Sequence, residues 1–119
     1  MIQVLPENLY RLCSLAEWEK VVACGFLKAN ADDIRDGFIH LSLAEQVEQT
    51  AMKFYQQTTD LHLLGIKSAA IREIVRLEAG GSGQNYPHAY GPIARHAIVF
   101  ARPVPKTNGA YQFPWELFA

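Results

Sequence analysis

The sequence predicts an α+β single domain over residues 1–119, with a mixed or antiparallel β-sheet, continuous or split, and two main helices. Three observations lead there. Short runs rich in apolar and β-favouring residues recur at 9–13, 38–41, 61–66 and 74–78. The tetrapeptide Ser-Leu-Ala-Glu occurs twice, at 14–17 and 42–45, each time between a strand-like run and a helical pattern. Asn108-Gly109 is a strong two-residue hairpin signal.

Residues 9–13 read as the first strand. The helix after Ser14 carries Trp18, Val21 and Val22 at helical spacing, and Gly25 is a natural stop. The polar, acidic stretch 26–35 reads as a connector, with a lid over His40 as the alternative. Asp36-Gly37 is turn chemistry. In the strand that follows, Ile39 and Leu41 share one face while Phe38, His40 and Ser42 share the other. Ser42 and Glu45 fit a capping box at the start of a second helix running from about 43 to 57. Its core stripe is Leu43, Val47, Ala51 and Phe54.

The run 61–66 is apolar on both faces apart from His62, which suits a well-covered strand. Residues 68–72 form a short helical turn. In the strand at 74–78, Val75 and Leu77 face one way and Ile74, Arg76 and Glu78 the other. The glycine-rich tract 79–85 matches no phosphate-binding fingerprint and reads as a mobile surface loop. Pro87 and Pro92 stiffen the next segment, so that His88 and Tyr90 point the same way. Residues 95–104 read as the longest strand, in a central position, with 110–113 returning antiparallel to it. Trp115 and Phe118 dock on the core.

The formal net charge of −1 gives no basis for binding nucleic acid or an anionic membrane surface. The start of the chain lacks a basic, apolar secretory leader, and no apolar run approaches membrane-spanning length. Cys13 and Cys24 have no metal-like spacing and read as buried free thiols of a cytoplasmic protein. The oligomeric state is left open.

The candidate site gathers the groups opposite the aliphatic faces. His40 and Glu78 are the acid–base pair, and Ser42, His88, Tyr90 and Arg76 are ligand-binding residues for a small molecule or nucleotide. A metal held by His40, His88 and Glu78 (or Asp36) lacks any supporting spacing. Covalent catalysis by Cys13, Cys24 or Ser42 lacks a nucleophile motif.

The order Asp36-Gly37-Phe38-Ile39-His40-Leu41-Ser42, an aliphatic strand ending near Glu78, then Pro87-His88-Ala89-Tyr90-Gly91-Pro92 resembles domain-of-unknown-function family 952, a set of small bacterial proteins. Tyr10, Trp18, Ala23 and Gly25 fit its opening pattern, so the resemblance spans nearly the whole chain. The family is grouped with ADP-ribosyltransferase-like folds. The resemblance therefore implies a split sheet with flanking helices and a cleft for NAD or ADP-ribose. It also implies roles: His40 holds a ribose hydroxyl or phosphate, Tyr90 stacks on a ring, Glu78 sits near a developing oxocarbenium, and His88 assists binding. A non-catalytic small-ligand or protein-binding module using the same cleft is the alternative, since fold alone does not fix function.

Overall fold

Two three-stranded antiparallel sheets carry the fold, and a backbone bridge joins them. The computed structural model describes residues 4–113 and Trp115. In chain order its elements are β1 (Asn8–Ser14), α1 (Leu15–Cys24), β2 (Phe26–Leu27), α2 (Ala31–Asp36) and β3 (Ile39–His40). A 3₁₀ turn at Ala44–Gln46 then leads into α3 (Val47–Phe54). The second half holds β4 (Leu61–Lys67), β5 (Val75–Ala79), β6 (Asn85–Ala89), β7 (Ile93–Ala94), β8 (Ile98–Pro103), β9 (Lys106–Thr107) and β10 (Ala110–Tyr111). Short 3₁₀ turns at Ser68–Ala70 and Arg95–Ala97 precede β5 and β8.

The first sheet has the order β1-β4-β8 and the second β3-β6-β5; the pairs β2-β7 and β9-β10 stand beside them. Every strand pair among the described residues is antiparallel. Tyr10 of β1 and Ser42, just beyond β3, exchange both backbone hydrogen bonds, at 2.9 and 2.8 Å. This is the only isolated bridge between the two sheets among the described residues.

β4 lies between β1 and β8 and is covered on both sides. Leu64 and Ile66 join a core with Leu9, Cys13, Val21, Ile39 and Val75. Leu61 and Leu63 point into a second core with Leu12, Val47, Ala51 and Val104. That explains its apolar residues on both faces; each buried leucine or isoleucine contributes roughly 1.5–3 kcal/mol relative to exposure. Gly65 is required here: a Cβ at this position would overlap the Phe100 ring across the register shift with β8.

α1 begins where the sequence places it. The Ser14 hydroxyl accepts the Glu17 amide at 3.2 Å, and Gly25 closes the helix in the left-handed region with φ of 86°. Asn108 and Gly109 both have positive φ, 53° and 80°, as a tight hairpin of the primed type demands.

Several expectations fail for identifiable reasons. Residues 26–35 are not a bare connector: they contain β2 and most of α2, which the Asn30–Asp33 capping box starts and Gly37 ends. Ser42 does not cap a helix, because its backbone is committed to Tyr10; the Leu43 amide instead donates to the Gln46 side chain at 2.9 Å. The second helix ends at Phe54, and Phe54 is exposed rather than part of the core stripe. The stretch 95–104 is broken by its 3₁₀ turn, so β1 and β4 are the longest strands and β8 is an edge strand. Residues 110–111 return on β9, not on β8. Cys13 is buried, but Cys24 is exposed. Trp115 packs edge-on against Tyr10 with centroids 5.4 Å apart, whereas Phe118 lies outside the described residues. No helix of the described residues is long and apolar enough to cross a membrane.

Candidate functional site

The two sheets part immediately after the Tyr10–Ser42 bridge. In an antiparallel ladder the next hydrogen-bonded pair after Tyr10 and Ser42 would be Leu12 and His40. The His40 carbonyl instead accepts Nη1 of Arg11 at 2.9 Å. β1 and β3 diverge around that guanidinium, and a cavity of about 530 Å³ lies in the opening. Arg11, His40, Ser42 and His88 line it from the sheets, Phe54 from the end of α3, and Gly80 from the β5–β6 turn.

The guanidinium is held by Asp33, the one buried side chain of α2. Arg11 donates to both Asp33 oxygens, at 3.1 and 3.0 Å, and lies 3.5 Å from Glu17. Asp33 also accepts the Asn30 amide at 2.8 Å and the His40 amide at 3.0 Å. Burial pushes the Asp33 carboxyl up, but the hydrogen bonds and charge of Arg11, with help from Asn30 and His40, leave it below the ordinary carboxylate range. Arg11 Nε is buried without a hydrogen-bond partner among the described residues.

His40 sits between two carboxylates. Its Nδ1 lies 2.7 Å from Asp33 Oδ1 and its Nε2 lies 2.8 Å from Asp36 Oδ2. Asp36 is held below its ordinary value chiefly by the hydrogen bond from Arg35. Ionised carboxylates only accept, so both contacts are hydrogen bonds together only when both ring nitrogens carry protons. Neither nitrogen of His40 is left for another partner.

Next to it is a second cluster. Glu78 Oε1 lies 2.8 Å from His88 Nδ1 and accepts the Tyr90 hydroxyl at 2.5 Å. These two hydrogen bonds, Tyr90 first, hold the Glu78 carboxyl below its ordinary value. The same bond to Glu78 raises the Tyr90 phenol. With Glu78 ionised, Nδ1 of His88 is the donor, and in the neutral ring Nε2 is a bare acceptor. Phe38 joins the clusters: its ring stacks on His88 with centroids 3.7 Å apart and tilts against His40 at 4.8 Å and Tyr90 at 5.7 Å.

The structure therefore brings His40, Ser42 and His88 to the cavity wall and places Glu78 and Tyr90 behind His88. Arg76 pairs in register with His88 but is exposed and lines no part of the cavity; its charge acts on Glu78 and Tyr90. Arg11 and Asp33 were missed as site residues, and Asp36 was considered only as a metal ligand. The available signals were an arginine in an otherwise apolar strand, which needs a buried carboxylate, and the capping spacing from Asn30 to Asp33. The turn at 79–85 forms the rim, tied down by Gln46 Nε2 to the Asn85 carbonyl at 2.7 Å. Among the described residues no group of three His, Cys, Asp or Glu side chains converges to hold a metal.

These features define a small α+β domain with antiparallel sheets and a histidine-walled cavity where two of the sheets separate. The chain belongs to the family described as "Protein of unknown function (DUF952)", whose family model matches residues 12–101. The crystal structure of protein CC0527 from Caulobacter crescentus, a structural genomics target, is similar at 31% identity with a TM-score of 0.86, covering 94% of this chain and 99% of that one. A crystal structure of a double mutant of CC0527 matches equally well. The solution NMR structure of CC0527 matches at 30% identity with a TM-score of 0.79, covering 89% and 91%. No curated protein matches.

Proposed function

We propose that this protein is an enzyme that binds a nucleotide or ADP-ribosyl group, NAD or ADP-ribose among them, in the cavity between the two sheets. The observation that carries the reading is the cavity itself: about 530 Å³, with Tyr10, Phe54, Tyr55 and Tyr86 in its lining together with His40 and His88. That volume lies within the usual range for small-molecule sites. Aromatic lining residues suit a flat heterocycle, and polar ones suit the sugar and phosphate. Glu78 and Tyr90 act behind His88 in this arrangement, with the charge of Arg76 close by. The same geometry serves a non-catalytic binding module, which the occupied nitrogens of His40 favour.

The test is a titration of labelled protein with NAD and with ADP-ribose, following amides 38–42 and 86–91 by NMR. Saturable shifts in those segments and elsewhere only along the cavity lining support the reading; no shift at millimolar ligand sinks it. Turnover abolished by Glu78→Gln, with the fold intact, separates the enzyme from the binding module.

A further inference from the structure

Two side chains of the cavity wall each carry a polar atom with no hydrogen-bond partner among the described residues. Ser42 is 6% exposed and His88 7% exposed, and both line the cavity wall. Ser42 Oγ and His88 Nε2 form no hydrogen bond with any described residue. Neither is sealed in, since Arg11 Nε is the one fully enclosed side-chain polar atom without a partner among the described residues. In polar, nearly buried positions such atoms call for a ligand partner or ordered water.

Their placement is set by the sheet. His40 pairs with His88, and the Leu41 amide continues the ladder to the Pro87 carbonyl at 3.1 Å. Ser42 is thus the diagonal neighbour of His88 on one face, with backbone positions about 7–8 Å apart, so the two side chains rise from adjacent places on that face. Ser42 Oγ can donate, and Nε2 of the neutral His88 ring can only accept. A hydroxyl, which both donates and accepts, satisfies the two atoms at once.

We propose that Ser42 and His88 together take a hydroxyl of the bound ligand, and that His88 Nε2 is its proton acceptor. The inference rests on the nucleotide or ADP-ribosyl reading, in which that hydroxyl belongs to a ribose. In the proton transfer the ligand O–H bond breaks, an Nε2–H bond forms, and the oxygen keeps the electron pair. Glu78 holds the resulting imidazolium through Nδ1, as a carboxylate behind a histidine does in hydrolytic triads. Glu78 and Tyr90 are positioning residues, for they reach the cavity only through His88. Phe38, stacked on the ring at an interplanar angle of 17°, fixes its plane. His40 cannot take this part without releasing Asp33 or Asp36.

The experiment uses the full chain labelled with ¹⁵N-histidine, read by long-range ¹H–¹⁵N correlation at a pH where the His88 ring is neutral, with ADP-ribose as the probe. In the free protein the proton is expected on Nδ1 with Nε2 bare. Glu78→Gln mixes the two tautomers while the amide spectrum stays folded. ADP-ribose moves the Nε2 signal, and Ser42→Ala and His88→Gln each weaken its binding roughly five- to tenfold, one hydrogen bond's worth. A proton on Nε2 in the free protein overturns the inference at once. ADP-ribose that binds with the His88 ring unmoved and Ser42→Ala silent overturns the inference and leaves the functional reading standing. ADP-ribose that shifts no amide overturns that reading and the inference with it.

Discussion

Replacing Asp33 by alanine tests whether the Arg11–Asp33 pair holds the two sheets in place. The side chains are 3% and 1% exposed, so removing the carboxylate strands a guanidinium in the interior. Breaking a buried pair from one side costs about 3–5 kcal/mol. The same change frees the Asn30 amide at the head of α2 and the His40 amide, each worth about 1 kcal/mol. Against a total stability of roughly 5–15 kcal/mol, Asp33→Ala is expected to remove a third or more. Urea unfolding followed by far-UV circular dichroism measures this as a lower midpoint at unchanged slope. The exposed Arg35–Asp32 pair, at 67% and 71%, is the control: Asp32→Ala is expected to cost at most about 0.5 kcal/mol. In the double variant Arg11→Met with Asp33→Leu, both charges go, and the loss is expected to be less than half the sum of the single losses. An Asp33→Ala protein within about 1 kcal/mol of wild type, or a double variant as unstable as the sum, refutes the reasoning.

The pH dependence has a definite sign. The Asp33 carboxyl is held lower in the folded chain than its unfolded value near 3.9, so its contribution is full above that value and is lost as pH falls through the lower folded one. Stability measured from pH 6 to 2 should therefore fall less steeply at the acid end for Asp33→Asn than for wild type; parallel curves contradict this. Burial pushes the Cys13 thiol up to about 12 while Cys24 is exposed. A thiol reagent under native conditions should modify one cysteine per chain, and mass mapping that finds Cys13 modified counts against the buried assignment. The Tyr90 phenol is raised by its bond to Glu78. An ultraviolet titration should show a tyrosine that ionises at lower pH in Glu78→Gln than in wild type, and identical curves would mean the bond does not form.

How much of this was legible depended on whether a segment's burial was apolar. β4 showed itself because leucines and isoleucines cover both its faces, and α1 because Ser14 and Gly25 punctuate it. α2 was invisible to periodicity: Ile34, its one large apolar side chain, is 71% exposed, and the residue it buries is an aspartate. The two Ser-Leu-Ala-Glu segments diverge for a reason no local pattern carries. Ser14 ends its strand free to cap, whereas Ser42 has both backbone groups tied to Tyr10. The candidate residues His40, Ser42 and His88 were readable from strand alternation. Placing Glu78 behind His88 required the β5–β6 register, which pairs Glu78 with Tyr86 and sends its carboxylate diagonally to His88. An arginine in the apolar strand β1 signals that a buried carboxylate is needed, but the strand does not say that the partner is Asp33, 22 residues away.

That arginine gives the cavity its character as an opening held apart by charge. A carbonyl that ought to continue the ladder is occupied by a side chain, so β1 and β3 cannot zip closed beyond Ser42. The guanidinium that stabilises the domain through Asp33 is the same one that keeps its interior reachable through the His40 carbonyl. Mutational drift that relaxed the pair would therefore have to choose between a tighter sheet without a chamber and a chamber without the bond that supports it.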